Sequence, residues 1–161
     1  MHVNQKMTKV ASIQKYQHHE NDPDYVTLAS QKNLFSIWHA GGMTPRFAPG
    51  DDLVFQLESG YGLLRVLRFE LDEAGQPVWH LLAYEELFPD VETAEAALAN
   101  AGSLHLRAAH MALTDRALGK TPAARLANRP VSDAELEPYR EWVKNKGCPS
   151  ELSVLLTLGL R

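Results

Sequence analysis

Residues 49–67 read PGDDLVFQLESGYGLLRVL and predict two antiparallel strands joined by a tight turn. Along the first strand, Leu53-Val54-Phe55-Gln56-Leu57, alternate side chains point to opposite faces and most of them are apolar. Gly60 and Gly62 can adopt a positive φ at little steric cost, which suits a hairpin turn. The second strand continues through Arg65-Val66-Leu67. Two such strands are typical of the start of a small antiparallel barrel.

Four segments after this hairpin extend the predicted architecture. Residues 78–84 alternate in the manner of a third strand, so the three strands form a meander. Residues 93–101 are rich in Ala and Glu and predict a short helix that Gly102 ends. Residues 104–113 are expected to return as another strand, and residues 115–119 to form one helical turn.

The C-terminal part contains the clearest helix signal. Ser132 and Glu135 have the spacing of a capping box, which marks the start of a helix. The helix that follows carries an apolar stripe of Leu136, Tyr139 and Val143, with Trp142 beside it. Gly147 is expected to end it. Residues 150–158 predict a final short helix with its own cap.

A length of 161 residues suits a single domain. We expect residues 1–9 to be frayed, residues 47–113 to form an acidic β-barrel core and residues 114–161 to form C-terminal helices. Residues 10–46 leave two alternatives, which are strands or a helix with Asp22 as its N-cap. The predicted fold class is α+β: a small antiparallel SH3-like barrel or strongly bent sheet, with the C-terminal helices packed on one side.

Charge is unevenly distributed along the chain, whose formal net charge is −4. Residues 47–102 carry eleven acidic and two basic side chains, a formal charge of −9. Residues 1–46 have a formal charge of +2 and residues 103–161 one of +3. An acidic surface repels phosphate backbones and attracts basic partners. The composition therefore favours a basic protein partner over a nucleic acid.

The composition also indicates a compartment. Cys148 is the only cysteine, so an internal disulfide and a cysteine-based zinc cluster are excluded. A lone thiol suits a reducing compartment. Residues 1–19 lack the apolar run of a secretory signal, and no window is apolar enough to cross a bilayer. We expect a cytoplasmic protein with no membrane partner.

The side chains that could carry chemistry favour structural roles. Asp51 follows a Pro-Gly turn, where its carboxylate is expected to accept hydrogen bonds from backbone N–H groups. Asp52 points to the opposite face of the strand, so the two carboxylates do not form a pair. His105 and His110 are five residues apart and lack the i, i+4 spacing of a helical zinc pair. Cys148 follows a helix end, which disfavours the thiolate. We predict no catalytic residue, no metal and no cofactor.

Three short motifs carry a family resemblance: Gly50-Asp51 leading a hydrophobic strand, the turn Gly60-Tyr61-Gly62, and the strand Arg65-Val66-Leu67. Together they resemble the opening of the immunity-26 family, over about residues 47–85. Asp52 stands where the family pattern has an apolar residue. The resemblance implies an SH3-type or similar small barrel with appended helices, acting as an immunity protein of a bacterial polymorphic-toxin system. It supplies no catalytic residues.

The leading functional hypothesis is a non-enzymatic protein-binding module, an immunity protein that neutralises a basic toxin through an acidic barrel surface. Candidate binding residues are Glu58, Tyr61, Glu70, Asp72, Glu73, Glu85 and Glu86. One alternative is a small barrel that binds nucleic acid through its aromatic side chains and the basic C-terminal part. Another is a metal-dependent hydrolase that uses His80, His105 or His110 with a carboxylate, Glu85 being the nearest candidate.

Overall fold

A computed structural model describes residues 45–160. The expectations for residues 1–9, and for residues 10–46 as far as residue 44, fall outside the described residues. The described part contains five strands, which are β1 (Asp51–Leu57), β2 (Gly60–Leu71), β3 (Pro77–Phe88), β4 (Leu106–Thr114) and β5 (Ala123–Asn128). Its α-helices are α1 (Val91–Leu98), α2 (Asp115–Gly119), α3 (Asp133–Lys144) and α4 (Val154–Thr157), with a 3₁₀ turn at Ala101–Ser103. The fold class is α+β.

All five strands belong to one antiparallel sheet in the order β4-β3-β2-β1-β5. The meander of β1, β2 and β3 predicted from the alternating pattern is confirmed. The last strand returns to the first, with Phe55 opposite Ala123 and Asp51 opposite Asn128. Within the described chain β4 and β5 form the two edges, so the sheet is open rather than closed.

Irregular pairing interrupts the two long strands. The register between β2 and β3 shifts between Gly62 and Leu64 and again between Val66 and Arg68. The register between β3 and β4 shifts near Ala83. An extra residue in one strand increases the local twist and bends the strand. These shifts place the bends in the middle of the sheet.

Both faces of the sheet carry a hydrophobic core. On one face, Leu118 of α2 and Val154 of α4 pack with strand residues such as Trp79. On the other face, Leu98 of α1 and Leu136 of α3 pack with a second set that includes Leu63. The prediction that the C-terminal helices pack on one side is therefore wrong: α3 and α4 lie on opposite faces.

The C-terminal expectation of helices over residues 114–161 is correct for α2, α3 and α4 but misses β5. The β5 sequence, Ala-Ala-Arg-Leu-Ala-Asn, contains no β-branched or aromatic residue, so its strand state comes from pairing with β1 rather than from propensity. The capping box of α3 is confirmed. Val143, which was predicted to belong to the apolar stripe of α3, is 47% exposed. The neighbouring Trp142 is half-buried instead.

Candidate functional site

The Gly50-Asp51-Asp52 turn joins three strands. Asp51 accepts a hydrogen bond from the backbone N–H of Ala48 at 2.8 Å and another from Asn128 Nδ2 at 2.8 Å. The structural interpretation of Asp51 is confirmed, because its carboxylate holds the turn and ties it to β5. Asp52 points to the other face and is fully buried there.

Asp52 lies between two guanidinium groups. Its Oδ1 atom is 3.1 Å from Arg65 Nη1, and Arg129 contacts both carboxylate oxygens, at 2.6 and 2.8 Å. The hydrogen bonds to Asp52 raise the pKa of Arg129, so this side chain stays charged. Asp52 stands where the immunity-26 pattern has an apolar residue. Its buried carboxylate has two counter-charges in the fold, Arg65 and Arg129.

Arg65 is the most heavily bonded side chain of this network and is only 1% exposed. It donates to the carbonyl oxygens of Gly50, Arg129 and Pro130 at 2.8 to 3.1 Å, and its Nε reaches Glu135 of α3 at 2.6 Å. Burial alone would raise the pKa of Glu135, but hydrogen bonds from Ser132 and Arg65 lower it overall. All five donors of this buried cation are directed at protein atoms, so Arg65 holds the turn, β5 and α3 together and has no donor left for a ligand.

A second polar cluster lies between the sheet and α3. His80 is fully buried, and its Nε2 atom is 3.1 Å from Glu70 Oε1 while its Nδ1 atom is 2.9 Å from His110 Nε2. Tyr139 donates its hydroxyl to Glu70 Oε2 at 2.8 Å. The Trp142 ring meets the His80 ring edge-on at 5.0 Å. We call these five residues the histidine cluster.

The protonation states in the histidine cluster follow from its charges. Burial raises the pKa of Glu70, but hydrogen bonds from His80 and Tyr139 outweigh it, so the carboxylate is ionised at neutral pH. Burial, and then the charge of His80, lower the pKa of His110 to about 4. His80 Nε2 donates to the ionised Glu70, and one hydrogen bond joins His80 Nδ1 to Nε2 of a neutral His110. The cluster fastens α3 to the sheet through Tyr139 and Trp142.

Acid should weaken the fold through His110. In the unfolded chain a histidine has a pKa of about 6.5. Between that pH and pH about 4 the unfolded state therefore binds more protons than the folded state. Stability is therefore present above pH 6.5 and is lost as the pH falls. We expect the free energy of unfolding to drop by roughly 1 kcal/mol between pH 7 and pH 5 on this account, after allowance for partial exposure. Urea denaturation at the two pH values measures it.

The matched control for that measurement is His105, whose side chain is 84% exposed. His110→Gln should remove most of the difference between pH 7 and pH 5, and His105→Gln should leave it in place. An unchanged pH dependence in His110→Gln would show that the cluster does not hold a neutral histidine.

The predicted acidic binding residues do not form one surface. Glu58 lies in the β1–β2 turn, and Glu85 and Glu86 lie at the end of β3 that pairs with the start of β2. Asp72 and Glu73 lie in the β2–β3 turn at the other end of β2. Strand β2 has 12 residues, so the two groups are roughly 35 Å apart. Only one group at a time can contact a small partner.

Two of the predicted binding residues are not free side chains. Glu70 is half-buried, and both oxygens of its carboxylate are bonded within the histidine cluster. Tyr61 is half-buried against the second hydrophobic cluster. Glu85 and Glu86 are exposed in part and pair with Arg107 and His105 respectively. Glu58, Asp72 and Glu73 are exposed.

The residues of the metal hypothesis come together only in part. His80 and His110 are in contact, with Glu70 in the place expected for Glu85. His105 lies apart and pairs with Glu86. Within residues 45–160 no group of three or more histidine, cysteine, aspartate or glutamate side chains is arranged to hold a metal ion. In the same range no helix has both the length and the apolarity to cross a bilayer.

A further set of exposed residues, which was not predicted from the sequence, lies next to Glu58, Glu85 and Glu86. Leu87, which pairs with Gly62 across β2 and β3, is 46% exposed. Asp90 caps α1 through Thr93 N at 2.7 Å, and Glu92 lies in its first turn. Both carboxylates are exposed, so this end of the sheet carries more acid than the strands alone indicate. We call this set the acidic end; its members are Glu58, Glu85, Glu86, Leu87, Asp90 and Glu92.

Comparison of the chain with protein-family models, with curated proteins and with solved structures gave no match in any of the three.

Proposed function

We propose that this protein is a non-enzymatic binding protein that takes a basic protein partner at its acidic end. The observation that supports this most directly is a large apolar side chain, Leu87, which is 46% exposed at a strand end where the residues on either side in sequence, Glu85, Glu86 and Asp90, are acidic. Protein interfaces of this kind combine an apolar anchor, which supplies affinity, with a charged rim, which supplies association rate and specificity. The histidine cluster, by contrast, makes its contacts within the protein.

Local charges support a cationic partner over an anionic one. Of the five carboxylates at the acidic end, two are paired, one with Arg107 and one with His105. Glu58 and Glu92 make no ion pair with residues of the described range, and the Asp90 carboxylate bonds to Thr93 of α1. Such a surface raises the local concentration of cations and repels phosphate backbones. A nucleic acid is therefore the weaker candidate.

A finer identity follows as part of the same proposal. The protein would be a cytoplasmic bacterial immunity protein that neutralises a basic toxin, with a fold related to SH3-like barrels. The motifs in residues 47–67 support the family, and the bends in β2 and β3 together with the return of β5 to β1 support the barrel-like architecture.

Two double variants with equal charge change test the location of the site. Glu58→Gln with Glu92→Gln removes two negative charges from the acidic end, and Asp72→Asn with Glu73→Gln removes two from the opposite turn. For the partner captured from the native cell, we expect the first pair to lower the association rate constant by roughly 3–10-fold and to reduce its salt dependence. The second pair should change the rate constant by less than about twofold, since those charges lie outside the contact.

Surface plasmon resonance at low and physiological salt gives both numbers. Capture of a neutral or acidic partner, or equal effects of the two double variants, would contradict the proposal. Binding of duplex DNA or RNA by the unmodified protein in a filter assay would favour the nucleic-acid alternative instead.

A further inference from the structure

An open cavity of about 510 Å³ lies at the end of the sheet opposite the acidic end. The β2–β3 turn forms one wall, the end of β4 with helix α2 forms another, and Glu151 closes the third side. Its lining residues are Asp72, Gln76, Pro77, Thr114, Asp115, Arg116, Lys120 and Glu151. Small-molecule sites have volumes of roughly 300–1,000 Å³, so the cavity has room for a small metabolite.

Several of the charged groups in this cavity are held in place by the fold. Asp72 Oδ1 accepts hydrogen bonds from the backbone N–H groups of Ala74 and Gln76 at 2.9 and 2.7 Å. Asp115 Oδ1 accepts from the indole N–H of the buried Trp79 at 2.9 Å. Lys120 donates to the backbone oxygen of Glu151 at 2.8 Å. Charges fixed in this way lose little conformational entropy when they bind a ligand.

Several hydrogen-bonding groups of the same cavity have no partner in the described chain. The second oxygens of Asp72 and Asp115 and the Glu151 carboxylate make no hydrogen bond or ion pair within residues 45–160. The Arg116 guanidinium has no such partner in the described chain either, although it lines the same cavity. The cavity thus offers one free planar cation and three carboxylates with acceptor sites.

We propose that this cavity binds a zwitterionic metabolite of the α-amino acid class. A guanidinium and a carboxylate make paired, bidentate hydrogen bonds, so Arg116 would take the ligand's carboxylate. An ammonium group has three donors, which the oxygens of Asp72, Asp115 and Glu151 can accept. A ligand with both charges complements this lining, since an anion alone would face three carboxylates and a cation alone would face Arg116 and Lys120. The site is independent of the partner surface proposed above.

Thermal unfolding of the full chain in the presence of each of the twenty amino acids, at about 10 mM, tests this. We expect at least one amino acid to raise the midpoint by about 2 °C or more, because a ligand that binds only the folded state stabilises it. The N-acetyl derivative, which lacks the ammonium, and the amide, which lacks the carboxylate, should give no shift.

Two matched variants separate this site from weak surface binding. Arg116→Gln should abolish the shift, and Arg125→Gln, at a side chain 64% exposed on β5, should retain it. The proposal is overturned if no amino acid shifts the midpoint, if the N-acetyl derivative acts as well as the free amino acid, or if Arg116→Gln still responds. None of these results bears on the acidic end, so the two proposals fail separately.

Discussion

Replacement of Arg65 by methionine is expected to lower the free energy of unfolding by about 3–5 kcal/mol, since it removes one of the two cations that face the buried Asp52 together with the five hydrogen bonds that Arg65 donates. Asp52, fully buried, would keep Arg129 as its only cation. The carbonyl oxygens of Gly50 and Pro130 would also lose their guanidinium donors. Urea denaturation of the two proteins gives the difference directly.

Two further variants are the controls for this measurement. Arg125→Met removes a cation that is 64% exposed and 3.9 Å from its nearest carboxylate, and should change stability by less than about 1 kcal/mol. Arg65→Lys keeps the charge but not the planar fork, and should be intermediate. Arg65→Met within about 1 kcal/mol of the unmodified protein would show that the network is not a determinant of stability.

Replacement of Gly50 by alanine is the second large effect, with an expected loss of about 2–4 kcal/mol. Gly50 has φ +91°, a backbone conformation that residues with a side chain rarely adopt. An added Cβ would collide with the carbonyl oxygen of Arg129, which is backbone and cannot move aside. That carbonyl also accepts from Arg65, so the collision reaches the ion network.

Gly102→Ala is the matched control for this measurement. A Cβ at Gly102 would meet nothing within 4 Å, and Gly102 is not among the glycines with a positive φ. Its substitution should leave the urea midpoint almost unchanged. If the two variants proved equally stable, the conformation assigned to the Gly50 turn would be wrong.

Local sequence patterns predicted most of the secondary structure. Mainly apolar runs over residues 53–57 and 78–84 indicated strands, because a strand that is covered on both faces is apolar on both. The capping box at Ser132 marked the start of α3 because its two hydrogen bonds are local. Strand β5 escaped the same analysis, because its pairing with β1 is a tertiary contact that its own residues do not encode.

Long-range contacts explain what was missed in the polar clusters. Arg65 and Asp52 are 13 residues apart and Arg129 is 77 residues from Asp52, so no local spacing indicates their pairing. The contact between Glu70 and His80 was available in principle. Once β2 and β3 are paired about a turn at residues 72–76, positions 70 and 80 become diagonal neighbours on one face.

The positions of the candidate acidic binding residues could not be predicted for a different reason. Composition gives the charge of residues 47–102 but not where each carboxylate lies along a strand of 12 residues. The register of β2 with β3 divides them between two ends, and the cap of α1 adds Asp90 and Glu92 to one of these. Leu87 gave no signal, since an exposed leucine at a strand end looks like a core residue in sequence.

Amide hydrogen exchange of the protein with and without its captured partner tests directly whether the partner binds at the acidic end. We expect complex formation to slow exchange in residues 57–62 and 85–92, which contain the acidic end, and to leave residues 72–76 and 115–120 at their free rates. Slowed exchange confined to residues 72–76 and 115–120, or to α3, would contradict it.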